Sequence, residues 1–323
     1  MQKKNLILLI LFLLLPVCTT TSNFIEVEKS SSSAKSNAKL YASSLLWKVA
    51  SNKPSNSESN VILFGTIHGG VDPKKDLDPQ LYQEVISGIK KADTIYFEID
   101  LSQKINDKQM STLFYSGKET LEEKLKVEDW LLLKKQLAEM PSQSLNKMRP
   151  IAVFMALMQK GLQQKSKNKS SSEYEKSIDA FVYEEALVQN KVLGFLETQD
   201  FQLGLMSGLI TIDDLSELIN SKVEFDDHLG KLIEIYKSQN IEKIYQSFEL
   251  EYKGFEKSEK WLEELVIKRN RAWIAEIEKC LNNVKKSCFF AFGAGHLGGP
   301  EGVLALLEKN NWRVRPYQDY ISE

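Results

Sequence analysis

Two apolar segments more than 200 residues apart each lead into the same short pattern, a glycine, two further residues and a histidine. Residues 61–64 precede a Gly-Thr-Ile-His unit that ends at His68, and residues 288–292 precede a Gly-Ala-Gly-His unit that ends at His296. An apolar run that stops at a glycine is typical of a strand that ends in a loop. Ligands of α/β domains bind at the carboxyl ends of strands, so one fold that joins the two units would place both histidines at one site. The alternative is two unrelated turn histidines.

The segments around the first unit predict two strands, a helix and a third strand in succession. Residues 45–50 and 61–67 have strand patterns and are close enough in sequence to form a hairpin. Apolar residues recur at three- and four-residue steps through residues 79–92, which predicts a helix, and residues 94–100 predict the next strand. A strand, a helix and a strand in this order are typical of a βαβ unit with parallel strands.

Three further strands are predicted later in the chain, at residues 191–196, 288–292 and 312–316. The rest of residues 100–285 is largely helical in pattern. We therefore predict an α/β fold with a central mixed, largely parallel sheet flanked by helices, and with a large helical insertion in the middle of the chain. Because the sheet uses strands from both ends of the sequence, we expect a single domain over residues 40–323.

The overall composition is that of a globular protein, with 42% hydrophobic and 27% charged residues. The net charge is −2, and the lysines and arginines form no long basic stripe. Phosphate backbones are bound by clustered basic side chains, so we expect no nucleic-acid partner.

The N-terminal segment differs from the rest of the chain. Two lysines precede an apolar run over residues 6–15, which is the pattern of an export signal and is too short to span a bilayer comfortably. Cys18 follows at the position of a bacterial lipoprotein cysteine, and residues 19–39 form a Ser- and Lys-rich flexible linker. We predict a lipoprotein-type signal peptide over residues 1–18, lipid attachment at Cys18, and a membrane-tethered protein of the bacterial cell envelope. A soluble secreted protein and an uncleaved anchor are the alternatives.

Two further cysteines, Cys280 and Cys288, lie eight residues apart. This spacing allows a disulfide in an oxidising compartment, and two buried free thiols are the alternative. Neither the spacing nor the neighbouring residues suggest a zinc cluster.

Three predicted strands end near side chains that are able to perform hydrolytic chemistry, His68, Glu98 and His296. Two imidazoles and a carboxylate bind a divalent cation and leave positions open for water. The same groups also serve as a general acid and base without a metal. For Glu98 the alternative is a strand-end carboxylate paired with a lysine or arginine. Glu197 ends a fourth strand in the same way.

Arg269, Asn270 and Trp273 lie in a further helical pattern, with Arg269 and Trp273 on one face. An arginine beside an asparagine is able to clamp a substrate carbonyl or carboxylate. Trp273 begins an apolar stripe, so we expect this face to turn inward and to bring Arg269 near Glu98 and Glu197. The alternative is a solvated charged face.

These motifs, in this order, resemble those of the TraB/GumN family over about residues 41–317. The resemblance is carried by the two Gly-x-x-His units and Glu98, and it continues through the helical middle of the chain. The middle motifs are Ser177-Ile178-Asp179 followed by Glu185-Ala186, Leu196-Glu197-Thr198 followed by Gln202, and Arg269-Asn270 followed by Trp273 and Ile277. Ser177 replaces a glycine, and Lys268 a glutamate, that are usual in the family.

The resemblance implies an α/β fold with a central sheet, shared with erythromycin-esterase-like and haem-uptake ChaN-like proteins. The TIKI metalloproteases belong to the same group, and likeness to them implies metal-dependent proteolysis. On this basis His68 and His296 are the expected ligands of a divalent ion of the Mn, Co or Zn type. Glu98 is then a third ligand or the base that activates water.

On the same basis we expect Arg269 and Asn270 to polarise the scissile carbonyl. We expect Glu197 and Gln202 to orient the site residues by hydrogen bonds without contacting the substrate. We therefore predict a cell-envelope, metal-dependent hydrolase, a peptidase that acts on a peptide or protein substrate. Two alternatives remain open. One is a lipid-tethered protein that binds or inhibits a peptide or signal without turnover, and the other is a metal-independent His/Glu esterase.

Overall fold

The computed structural model describes residues 43–51, 61–166, 177–220, 225–252, 258–283 and 285–317. The predicted signal peptide, Cys18 and the linker over residues 19–39 lie outside these residues. Within the described part of the chain, no helix is both long enough and apolar enough to cross a membrane.

Six described strands form one sheet, as predicted. They are β1 (Leu46–Ser51), β2 (Val61–Thr66), β3 (Thr94–Phe97), β4 (Val192–Phe195), β5 (Cys288–Gly293) and β6 (Trp312–Pro316). Their order across the sheet is β4-β3-β5-β2-β1-β6. The four strands from β4 to β2 run parallel, while β1 pairs antiparallel with both β2 and β6. The predicted α/β class with a mixed, largely parallel sheet is confirmed.

The position of β5 differs from the simplest interpretation of the βαβ pattern. β2 and β3 run parallel, but they do not pair with each other, because β5 lies between them and pairs with both. Gly65 of β2 is aligned with Phe292, and Phe97 of β3 is aligned with Ala291. The carboxyl ends of β2, β5 and β3 therefore meet at one edge of the sheet, although β5 comes from the far end of the sequence. β3 also ends at Phe97, so Glu98 follows the strand and is not part of it.

Fourteen α-helices lie in the described residues, and their order confirms the helical middle of the chain, which β4 interrupts. They are α1 (Pro73–Asp76), α2 (Pro79–Lys91), α3 (Asp107–Leu113), α4 (Val127–Gln136), α5 (Ser142–Leu145), α6 (Pro150–Ser166), α7 (Ile178–Val188), α8 (Gln199–Leu209), α9 (Ile212–Asn220), α10 (Phe225–Lys237), α11 (Ile241–Tyr252), α12 (Ser258–Leu262), α13 (Lys268–Leu281) and α14 (Val303–Lys309). The helix predicted over residues 79–92 shows that the residues at its start determine where it begins. Asp78 caps the first turn of α2, Pro79 stands at its first position, and Leu81 begins its buried face.

Two apolar clusters form the core. One is built around the sheet and includes Phe64, Phe289 and Trp273, and the other is built from the helical middle and includes Leu133 and Leu265. The segment that leads into α13 passes from the second cluster to the first, because Leu265 belongs to one and Trp273 to the other. Arg269 lies between them on the same segment.

A disulfide joins Cys280, near the end of α13, to Cys288, the first residue of β5, with 6.3 Å between the two Cα atoms. Both residues are buried. The structure therefore shows the disulfide and not the alternative of two buried free thiols. The bond ties the helix that carries Arg269 to the strand that leads to His296.

Candidate functional site

Four predicted site residues follow the carboxyl ends of neighbouring parallel strands. His68 follows β2, Glu98 follows β3, Glu197 follows β4, and His296 ends a short 3-10 turn after β5. The parallel pairings place these four strand ends side by side. The structure thus brings the two Gly-x-x-His units to one edge of the sheet.

The two units pack directly on each other at Gly65. A Cβ atom added to Gly65 would lie 2.7 Å from the Cδ1 atom of Leu297 and 3.0 Å from the Cα atom of Ala294. The missing side chain is therefore what allows the first unit to lie against the second. The hydroxyl of Tyr236, a buried residue of α10, donates a hydrogen bond to the Gly65 carbonyl at 3.0 Å and so fixes the end of β2.

His68 is held by a carboxylate on α7. Its Nδ1 atom lies 2.9 Å from Oδ2 of Asp179, and the Thr66 hydroxyl donates to the other oxygen, Oδ1, at 2.6 Å. Because Asp179 accepts the Nδ1 proton, the tautomer that fits leaves Nε2 as the nitrogen with a free lone pair. Nε2 makes no hydrogen bond to a described residue.

Asp179 is a residue of the candidate site that the sequence pattern does not predict. It belongs to the family-like motif Ser177-Ile178-Asp179, but the motif alone indicates no role for its carboxylate. It lies in the first turn of α7, which Ser177 caps by accepting a hydrogen bond from the Ala180 N–H at 3.0 Å. A carboxylate in a first turn is favoured by the helix dipole, and that alone does not reveal a histidine partner more than 100 positions away in sequence.

His296 is held on both ring nitrogens by residues of α13. Its Nδ1 atom lies 2.7 Å from Oδ1 of Asn270, and its Nε2 atom lies 3.3 Å from Nη1 of Arg269. Asn270 is fully buried, and its amide donates to the carbonyl of Glu301 at 2.8 Å. The Trp273 ring packs against the imidazole with 4.5 Å between ring centroids. In this arrangement Asn270 orients His296 instead of facing a substrate.

Arg269 bridges two carboxylates in the interior. Its Nη2 atom lies 2.5 Å from Oε2 of Glu98, and its Nε atom lies 2.8 Å from Oε1 of Glu197. Only 3% of the arginine side chain is exposed. The alternative of a solvated charged face is therefore wrong for Arg269, whereas it describes Arg271, which is half exposed on the same helix.

Each of the four carboxylate oxygens of the two glutamates accepts at least one hydrogen bond. The Gln202 amide donates to Glu98 and to Glu197, each at 3.0 Å. The Gly293 N–H donates to Oε1 of Glu98 at 2.7 Å, and the Trp273 indole donates to Glu197 at 2.9 Å. Buried charges are tolerated only when they are paired and hydrogen-bonded in this way.

A π-helical turn over Glu263–Ile267 delivers Arg269 to this position. The N–H of Lys268 bonds to the carbonyl of Glu263, one residue further back than in an α-helix. Arg269 in turn donates from Nη1 to the Leu265 carbonyl at 3.0 Å. Single π turns inside helices occur often at functional sites, and the sequence pattern gave no sign of this one.

The pKa values of the site residues diverge strongly. Burial alone would raise the pKa of Glu98, but Arg269, the two histidines and the Gly293 N–H hold that pKa at about 2. Burial and the Arg269 charge lower the pKa of His296 to about 3, so its imidazole is neutral near pH 7. Burial also works against charged His68, but the charge and hydrogen bond of Asp179 outweigh it and raise the pKa of His68 above 6.5. The site therefore combines an ionised carboxylate, a neutral imidazole and one imidazole that titrates.

The predicted metal ligands do not form an open metal centre in this arrangement. Both oxygens of Glu98 accept hydrogen bonds, and the Nε2 atom of His296 faces the positively charged guanidinium of Arg269. The part of the chain that the structure describes contains no group of three His, Cys, Asp or Glu side chains arranged to hold a metal ion. A divalent ion shared by His68, His296 and Glu98 would require Arg269 to move away.

The fold and this site define an α/β protein with a buried histidine–carboxylate cluster at the carboxyl edge of its sheet. Over residues 45–316 the sequence matches the model of the TraB/PrgY/gumN family. This range covers most of the chain, and the protein belongs to that family. No curated protein and no solved structure matches the chain.

Proposed function

We propose that this protein is a hydrolase in which His68, oriented by Asp179, activates a water molecule. The observation that carries the proposal is the 2.9 Å contact between Nδ1 of His68 and the buried Asp179 carboxylate, which leaves Nε2 to accept a proton. A histidine whose second nitrogen is held by a carboxylate is a recurrent general base. The proposed substrate is a peptide or protein, as the family resemblance implies.

Exposure supports His68 over the other members of the cluster. Its side chain is 11% exposed, compared with 7% for Glu98 and 3% for Arg269. Glu98 has a pKa of about 2, and both of its carboxylate oxygens accept hydrogen bonds, so it is a poor proton acceptor near pH 7. We assign to Glu98, Glu197 and Gln202 the role of fixing the Arg269 guanidinium, which in turn contacts Nε2 of His296.

A metal-dependent peptidase is the second candidate, and one observation favours it. Both histidines present Nδ1 to a side-chain acceptor, Asp179 for His68 and Asn270 for His296. Such contacts are how proteins orient metal-binding imidazoles. A Mn, Co or Zn-type ion would supply a water of lowered pKa, but it would first require the pair between Arg269 and Glu98 to open.

Metal content and turnover measured together test both candidates. We expect purified protein to cleave a quenched-fluorescence peptide library or p-nitrophenyl acetate, and to keep that activity after dialysis against a chelator. The bound metal is measured by mass spectrometry in the same samples. Loss of activity on chelation, with recovery on adding Mn²⁺, Co²⁺ or Zn²⁺, would establish the second candidate. Peptide binding without turnover would contradict both and would favour a non-catalytic binding or inhibitory protein.

We also propose that the protein acts in the cell envelope, tethered by lipid at Cys18. The bond between Cys280 and Cys288 supports export, because structural disulfides form and persist in oxidising compartments. The signal-like sequence before Cys18 supports the same location.

Replacing the cysteine is expected to release the protein from membranes. A Cys18→Ala variant should move from the membrane fraction to the soluble fraction, since the lipid can no longer be attached. Fractionation and mass spectrometry of the mature N-terminus measure this. A Ser30→Ala variant in the linker is the control and should stay with the membrane. A mature N-terminus cut elsewhere, with Cys18 unmodified, would contradict the anchor.

A further inference from the structure

The two edges of the sheet are built differently. β6 carries the exposed, charged residues Arg313 and Arg315 and ends in Pro316, and such residues prevent an edge strand from pairing with another chain. β4, at the opposite edge, has the sequence Val-Leu-Gly-Phe, with neither a charge nor a proline. Within the described residues, no strand pairs with the outer side of β4.

Backbone groups of β4 face this open side. The N–H groups of Val192 and Leu196 donate inward, to the carbonyls of Asp93 and Phe97. Since alternate residues of a strand point their backbone groups to opposite sides, the N–H and C=O groups of Leu193 and Phe195 face outward. Two residues are thus available to pair with an added strand.

Apolar side chains surround the same edge. Of the eight exposed large hydrophobic residues among the described residues, five fall within residues 187–201. They are Leu187 (52% exposed), Val188 (76%), Val192 (63%), Phe195 (37%) and Phe201 (50%). We call these five residues the edge patch. Such a concentration of exposed apolar surface marks an interaction site.

We propose that the edge patch is the interface of a homodimer, in which β4 pairs antiparallel with β4 of a second copy across a two-fold axis. The two six-stranded sheets then join into one continuous sheet, and each edge patch covers the other. This proposal is independent of the chemistry at His68.

The distribution of the patch on both faces of the sheet favours a second copy over a single bound peptide. Phe195 is aligned with Phe97, whose ring packs on Tyr183 of α7, so Phe195 lies on the α7 face. Val192 is three positions away and therefore lies on the opposite face. A lone strand would pair with the backbone of β4, but it would leave the α7 residues Leu187 and Val188 uncovered. A second copy brings its own edge patch to both faces of the joined sheet.

The buried area is sufficient for a dimer. Aromatic side chains bury about 150–250 Å² each and aliphatic ones less, so two phenylalanines and three aliphatic residues that are about half exposed offer roughly 400–500 Å² per copy. With the strand backbone of both copies included, the total is about the 1,000 Å² that a specific interface needs.

Sedimentation velocity and light scattering of the full chain in mild detergent test the proposal. We expect a dimer, and we expect Val192→Lys to raise its dissociation constant about tenfold or more, because two lysines would then be buried near the axis. Val127→Lys is the matched control. Val127 is 70% exposed on α4, outside the edge patch, so this variant should remain dimeric. Hydrogen exchange at Leu193 and Phe195 should slow in the dimer.

Several results would overturn the proposal. A wild-type chain that is monomeric at about 100 μM, well above the dissociation constants of specific protein complexes, would do so. So would a dimer that Val127→Lys dissociates and Val192→Lys leaves intact, or a monomer whose Leu193 amide is already protected by another strand. If Val192→Lys fails to fold, Val188→Lys on the surface of α7 replaces it with the same expected result.

Discussion

Replacing Arg269 with methionine is expected to lower the free energy of unfolding by about 3–5 kcal/mol, the usual effect of removing one partner from a buried ion pair. The variant keeps a long side chain over Trp273, so little packing is lost. It leaves Glu98 and Glu197 buried without their counter-charge. Urea denaturation at pH 7 followed by circular dichroism measures the change.

The pH dependence of stability should also reverse in sign. In the wild type the pKa of Glu98 is lowered from 4.5 to about 2, so its stabilising effect is present above pH 4.5 and is lost as the pH falls towards 2. Without Arg269, burial is expected to raise the pKa of Glu98 above 4.5. The variant should then gain stability from Glu98 as the pH is lowered from 7 to 5. The wild type should lose stability over the same range, because His296, with its pKa of about 3, stays neutral in the folded state while it is protonated in the unfolded chain.

Arg271→Met is the matched control on the same helix. Arg271 is half exposed and pairs with Glu301 and Glu263 at the surface, so its loss should cost less than about 1 kcal/mol. Equal effects of the two substitutions would show that the buried network contributes no special stability. The loss in the free energy of unfolding for Arg269→Lys should lie between those of these two variants. Lysine keeps the positive charge, but it cannot bridge two carboxylates as the guanidinium does.

Replacing His68 with alanine is expected to lower kcat/KM by about 10²–10⁴ with the fold retained, since the general base is removed. Asp179→Asn should lower it within the same range, because the amide no longer fixes the imidazole tautomer or stabilises the imidazolium. Steady-state kinetics at matched concentrations of folded protein measure both. Thermal melts show whether the fold is intact.

The pH profile separates a chemical role of Asp179 from a merely structural one. A general base must be neutral, so wild-type activity should rise as the pH increases through the pKa of His68, which lies above 6.5. Asp179→Asn removes the charge that raises this pKa, so the acid limb of the profile should move to lower pH. An unchanged acid limb, or full activity in His68→Ala, would contradict His68 as the base.

Local sequence signals were enough for most of the fold. Apolar runs that stop at glycine located β2 and β5, and three- and four-residue periodicity located α2 and α13, because these patterns depend only on neighbouring residues. The place of β5 between β2 and β3 was not predictable in the same way. The pairing of parallel strands depends on contacts between distant segments, so the sequence of β5 alone does not predict which strands it pairs with.

The contacts of the candidate site also differ in whether the sequence predicts them. The inward face of α13 and the approach of Arg269 to Glu98 and Glu197 followed from an apolar stripe and from the need of a buried arginine for a carboxylate. Two contacts did not follow from the sequence, Asp179 with His68 and Asn270 with His296. Each joins side chains from separate elements, and its geometry exists only in the packed structure.

The central position of β5 has a consequence for biosynthesis. β2 and β3 are synthesised early, yet the strand that fills the gap between them begins only at Cys288, some 190 residues after β3 ends. Such long-range parallel pairing makes folding slow, because a large loop must close before the contacts form. A chain truncated before β5 lacks the middle of its sheet as well as His296. The nascent protein therefore cannot assemble its site until nearly all of it has been made.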